Sequence, residues 1–208
     1  MEPWTEIPKH YGEPWETFLA HDFGSSAPSA TYIFTKSPGA TVDGIFYPRD
    51  SLILVDELAT AKRDRPNEGL GWTVPILAEE IVSMCKRWGV KPVGVADDAI
   101  FARTGSGAGS IAAEFMRGGV RFMPAKKADR LTGWNIMRRL LADAGKPDVP
   151  GLYIARTCEY FWETVPYLGR DQKRVEDVDS QGADHSADAV RYGCLRQRSE
   201  CKVSPLNM

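Results

Sequence analysis

The stretch SQGADHSADAVRYG, residues 180–193, crowds Asp184, His185 and Asp188 into about one turn of a helix, with Arg191 the nearest balancing charge. Residues three and four apart share a helix face, so His185 and Asp188 point the same way, as do Asp184 and Asp188. Like charges at that spacing cost a helix a few tenths of a kcal/mol. Two further acidic positions close apolar runs: Asp22 ends TFLAHD, and Asp97 and Asp98 end PVGVADD. Side chains alternate along a strand, so only one of that last pair can face the side that Asp22 faces. Three carboxylates from three separate elements, gathered at one edge, make an oxygen cage suited to Mg²⁺ or Mn²⁺. Such an ion would relieve the repulsion. Spacing alone favours turn residues at Asp22 and Asp97 and a helix cap at Asp184, since Asp is common at such boundaries.

The elements that would carry these acids follow from periodicity. The runs 17–24, 30–37 and 51–60 are apolar, with short connections, and predict three strands in an antiparallel meander. In TVPILAEEIVSMCKRWG, Leu77, Ile81, Met84 and Trp88 recur at helical spacing, with Thr73 and Pro75 at the start and Gly89 at the stop. Strand character returns in KPVGVADD, followed by a short helix in SIAAEFMRGG and a strand in VRFMPA. LTGWNIMRRLLADAG predicts a helix with Thr132 as cap and a stripe of Trp134, Met137 and Leu141. GLYIAR reads as a strand, TCEYFWETV as a turn or two of helix, and the acidic stretch as the last helix. The order β-β-β-α-β-α-β-α-β-α-α predicts an α/β fold, a mixed sheet with helices on both faces. Residues 1–16 read as an arm, 17–195 as one domain and 196–208 as a tail. Trp134, Tyr160, Phe161 and Trp162 are expected in the core.

The chain has 208 residues, 43% of them hydrophobic, enough for one sizeable core. No apolar run is long enough to span a membrane, and MEPWTEIPKHYGEPWE has neither the basic start nor the apolar centre of a signal peptide. Cys85, Cys158, Cys194 and Cys201 have no CxxC spacing and read as reduced thiols. The glycines of RTGSGAGS fit neither a dinucleotide fingerprint nor a Walker loop, which needs a lysine. The net charge of −2 does not advertise nucleic-acid binding, yet basic residues cluster at Lys126, Lys127 and Arg130 and again at Lys173 and Arg174.

HDFG, VADD, PAKKADRLTGWNIMRRLL and DHSADAVRYG occur in that order. Together they resemble the C-terminal nuclease domain of the large terminase subunit of tailed bacteriophages, and the likeness runs from about Phe18 to Gly193. The resemblance implies a ribonuclease H-like fold and two-metal cleavage of double-stranded viral DNA during genome packaging. Its three acids fall on Asp22, Asp97 and Asp188, with His185 as a neighbour in the site and Asp184 reaching a metal through water at most. It implies two Mg²⁺ or Mn²⁺ ions as cofactors, and duplex DNA, the portal protein, the small terminase subunit and an ATPase domain as partners, in the cytoplasm of the infected host. No Walker motif is present here, so the nuclease domain alone is expected. Lys126, Lys127, Arg130, Lys173 and Arg174 are the expected phosphate contacts. The alternatives are a catalytically idle domain that docks on the portal or DNA, and a Holliday-junction resolvase-like enzyme. Repulsion among the acids further predicts that Asn at Asp22 or Asp188 leaves the metal-free domain at least as stable.

Overall fold

A computed structural model describes residues 1–9, 12–103, 109–125, 130–169, 171, 177–178 and 182–198, the side chains of 197 and 198 excepted. Among these residues ten strands and five helices follow in the order β1 (Glu16–Asp22), β2 (Ala30–Lys36), β3 (Ala40–Val42), β4 (Ile45–Tyr47), β5 (Leu52–Ala59), β6 (Ala61–Lys62), β7 (Arg65–Gly69), α1 (Val74–Trp88), β8 (Val93–Ala96), α2 (Ile111–Arg117), β9 (Arg121–Pro124), α3 (Arg130–Asp143), β10 (Leu152–Ile154), α4 (Glu159–Thr164) and α5 (His185–Arg198). Six strands form one sheet in the order β10-β5-β2-β1-β8-β9. The expected meander is its centre: β1 pairs β2 antiparallel and β2 pairs β5 antiparallel. The other pairs, β1 with β8, β8 with β9 and β5 with β10, are parallel. A mixed sheet with helices on both faces is what the element order requires.

Alternation along the strands sorts the core. Leu19, Ile33, Ile53 and Val55 pack with Leu77, Ile81 and Met84 of α1 and Phe115 of α2. Phe18, Ala20, Tyr32, Phe34, Leu52 and Leu54 turn to the opposite face, against Trp134 and Met137 of α3, Phe161 of α4 and Val190 of α5. α1 starts at Thr73 with Pro75 in its first turn and stops at Gly89, whose φ of 63° needs a residue without a Cβ penalty. α3 begins at Arg130, so Thr132 lies inside its first turn and is not the cap. Trp134, Tyr160 and Phe161 are buried, but Trp162 is 42% exposed. The segment read as an arm folds back on the sheet: Trp4 and Trp15 are buried, and Trp4 meets Trp15 and Tyr47 edge-on at 5.2 and 5.4 Å.

One hairpin interrupts the meander and a second follows it. β3–β4 turns through Asp43 and Gly44, both at positive φ, the requirement of a two-residue hairpin turn. β6–β7 follows β5 directly. Neither carries an alternating apolar pattern, and only the turn residues of the first mark it in the sequence.

The register of α5 on the sheet decides where the acids of that helix sit. Ser186 Oγ lies 2.5 Å from the Tyr32 hydroxyl, Gly193 sits against the Phe34 ring, and the Arg196 guanidinium covers Phe18 at 4.1 Å. Arg196 also meets Glu16 at 2.9 Å. These contacts, spaced at helical intervals, lay α5 along β1 and β2 with its first turn at the Asp22 end. A Cβ on Gly193 would come within 2.4 Å of Phe34, so glycine is what lets the helix lie this close.

Candidate active site

Asp22 is the last residue of β1, and its side chain follows the parity of Phe18 and Ala20 toward α5. In the parallel register His21 pairs with Ala96, so Asp22 and Asp97 leave the sheet side by side. Asp97 continues the parity of Val95, which shares that face, and this places it with Asp22. One of its oxygens also accepts from Ala99 N at 3.3 Å, capping a short 3-10 turn, Asp98–Phe101, that Asp98 opens. The cap and the shared edge are compatible, because a carboxylate has a second oxygen.

α5 brings the rest. His185 Nδ1 is 2.7 Å from Asp22 Oδ2. The Asp184 carbonyl accepts from Asp188 N at 2.8 Å, so Asp184 stands at the helix start, while its carboxylate accepts from Arg130 Nη2 at 2.9 Å. Asp188 Oδ1 accepts from Arg191 Nε and Nη2 at 3.0 and 2.8 Å, and its Oδ2 lies 3.7 Å from Arg130 Nη2. Asp177, which spacing did not reveal, joins this group: it accepts from Trp134 Nε1 at 2.9 Å and lies 3.5 Å from Arg130 Nε. Arg130, expected at the DNA surface, therefore faces the acids. Lys126, Lys127, Lys173 and Arg174 lie outside the described residues, as does 104–108 of the glycine-rich loop.

Burial raises the Asp22 carboxyl to about 6, against the pull of His185 and with the push of Asp188 and Asp97. Asp184 is also raised, by burial first and then by Asp188, although Arg130 opposes both. For His185 burial is the largest influence and works against the charged form, but the bond to Asp22 and the charges of Asp22, Asp184 and Asp188 together outweigh it, and the net shift is upward. His21, one residue earlier than Asp22 and on the other face, is fully buried and pushed down to about 3.

Among the described residues no group of three or more His, Cys, Asp or Glu side chains converges closely enough to hold a metal ion. The donor set nonetheless fits a hard divalent cation. It is made of carboxylates, and behind burial the charges of Asp188 and Asp97 add to the upward push on Asp22, a repulsion that a cation would relieve. His185, Arg130 and Arg191 are bonded to three of these acids, Asp22, Asp184 and Asp188.

No family model and no curated protein matches the sequence. Solved structures do. The P22 large terminase nuclease domain superposes with a TM-score of 0.66 at 19% identity, covering 95% of this chain and 87% of that one. The fold is that of the large-terminase nuclease domains. The large terminase of the thermophilic bacteriophage D6E follows with a TM-score of 0.58 at 16% identity over 91% of this chain, which spans 42% of that protein's length. The large terminase nuclease of the thermophilic phage G20c, solved with bound cobalt, has a TM-score of 0.51 at 11% identity, over 86% of this chain and 80% of that one. The six-stranded mixed sheet with helices on both faces is ribonuclease H-like, as these nuclease domains are. No helix among the described residues is long and apolar enough to cross a membrane.

Proposed function

We propose that this domain is a divalent-metal-dependent endonuclease that hydrolyses double-stranded viral DNA during genome packaging. The observation that carries the reading is the meeting of Asp22, at the end of the central strand, with His185 and Asp188 of the last helix, beside Asp97. The likeness to terminase nuclease domains supports it, and the cobalt in the G20c nuclease supports a divalent ion here.

Asp22, Asp97 and Asp188 would hold the metal, with Asp184 at its margin. Two bound Mg²⁺ or Mn²⁺ ions supply a water made acidic near neutral pH and charge neutralisation at the leaving 3′ oxygen. The protein's own part is positioning. The Asp22 bond fixes the His185 ring and favours its protonated form, so His185 is set to give a proton through Nε2. Arg191 fixes the Asp188 carboxylate through Oδ1. Lys126, Lys127, Lys173 and Arg174 are the proposed phosphate contacts, and binding through such contacts weakens steeply with salt. In this reading the portal protein, the small terminase subunit and an ATPase domain are partners in a motor, and the host cytoplasm is where it works.

One observation favours a second reading, a catalytically idle docking domain: the acids of α5 are already paired with arginines. Incubation of supercoiled plasmid with the protein and Mn²⁺ separates the two. Nicked and linear products that disappear with EDTA, and diminish with added NaCl, are expected. An intact plasmid at high protein concentration in Mn²⁺ and in Mg²⁺ would leave the docking domain as the better account.

A further inference from the structure

The two arginines that face the acids of α5 are held in different ways. The Arg191 side chain is 9% exposed and donates twice to Asp188 Oδ1. Its guanidinium lies 5.2 Å from the Trp134 ring centre and 4.6 Å from that of Tyr192. Its stem fills the space that Gly133 leaves open, where a Cβ would come within 2.8 Å of it. This arginine is built in. Arg130 is 34% exposed, stands at the first residue of α3, lies 5.7 Å from the Trp134 ring centre and, among the described residues, makes one hydrogen bond to the acids, to Asp184 at 2.9 Å. Its other approaches, 3.7 Å to Asp188 and 3.5 Å to Asp177, are too long for hydrogen bonds, and its buried Nε has no hydrogen-bond partner.

We propose that Arg130 is an internal counter-cation: it neutralises Asp184 and Asp188 in the metal-free domain and withdraws when a divalent ion enters, so its pairing sets the site's metal affinity. The inference rests on the metal-dependent reading of the site. Both hydrogen bonds from Arg191 go to Asp188 Oδ1, and Arg130 Nη2 lies 3.7 Å from Oδ2. A divalent ion and a guanidinium cannot share that oxygen without repelling each other, and Arg191 is fixed by packing. Arg130 is the one that yields, because a third of its side chain already meets solvent and, among the described residues, one hydrogen bond holds it against the two that hold Arg191.

Calorimetric titration of Mn²⁺ into the wild type, Arg130→Gln and Arg130→Lys at low ionic strength tests this. Arg130→Gln is expected to bind Mn²⁺ at least fivefold more tightly. Arg130→Lys, which keeps the charge, should stay within about twofold of the wild type. Equal or weaker binding by Arg130→Gln, or equal tightening by both variants, would overturn the counter-cation while leaving the metal site standing. If no protein binds Mn²⁺, the metal-dependent reading falls and takes this inference with it. Should Arg130→Gln fail to fold, the arginine Nε–H resonances of the wild type decide the matter. Mg²⁺ should move the Arg130 signal and leave that of Arg191 nearly unchanged; no movement of Arg130 at saturating Mg²⁺ would refute the proposal.

Discussion

His185 Nδ1 lies 2.7 Å from Asp22 Oδ2 across 163 residues of sequence, joining the first strand of the sheet to the last helix. The contact is possible because α5 is pinned along β1 and β2 by Ser186 on Tyr32, Gly193 on Phe34 and Arg196 on Phe18. Its electrostatic outcome is asymmetric. Asp22 remains raised to about 6 despite its histidine, since burial and two neighbouring carboxylates outweigh one bond.

That shift gives Asp22→Asn a pH-dependent signature. The folded value of about 6 lies above the ordinary 3.8, so the native state keeps a proton that the unfolded chain has lost. The stability this contributes is fully present below 3.8 and is lost as pH rises through 6. Moving a carboxyl from 3.8 to about 6 corresponds to about 3 kcal/mol at most. Asparagine carries no such loss. Thermal melts in EDTA should show Asp22→Asn above the wild type by several degrees at pH 7, with the gap closing toward pH 4. A gap independent of pH would contradict the assignment.

Asp188 should behave in the opposite way. Repulsion among the acids predicts that Asn is harmless at either position, but the structure gives Asp188 two hydrogen bonds from Arg191, which is itself buried. Removing the carboxylate charge leaves that arginine underpaired, at a cost of about 2 to 3 kcal/mol. Urea unfolding of Asp188→Asn in EDTA should show that loss at pH 7; stability equal to the wild type would mean that Arg191 does not depend on Asp188.

Local periods are written in the sequence; contacts between distant segments are not. Strand and helix order was legible because Leu77, Ile81 and Met84, and the alternating β1 and β2 residues, each report a local period. Spacing alone does not bring Asp22, Asp97 and Asp188 to one edge, because turn residues and a helix cap account for the same positions; only the resemblance implies it. Arg130 and Asp177 were not legible as partners of the acids: Arg130 meets Asp184 across 54 residues, and no spacing encodes that. The β6–β7 hairpin escaped because RPNEG is polar throughout and contains a proline, which points away from a strand.

Packing of α5 provides a further test. Alanine favours helices by about 1 kcal/mol over glycine, yet at Gly193 its methyl would strike the fully buried Phe34 ring. The steric term should win, with a net loss of about 1 to 3 kcal/mol and α5 displaced from the sheet. Gly193→Ala is therefore expected to lower the melting temperature and to weaken Mn²⁺ binding together. Unchanged metal affinity in a destabilised protein would uncouple the helix seat from the site.

The central claim, that Asp22, Asp97 and Asp188 together hold divalent ions, is tested most directly by anomalous diffraction from crystals soaked in Mn²⁺. The account predicts manganese peaks in contact with Asp22, Asp97 and Asp188, with the Arg130 guanidinium moved away from Asp188. Saturating Mn²⁺ with no peak at Asp22, and Arg130 still on Asp184, would contradict it.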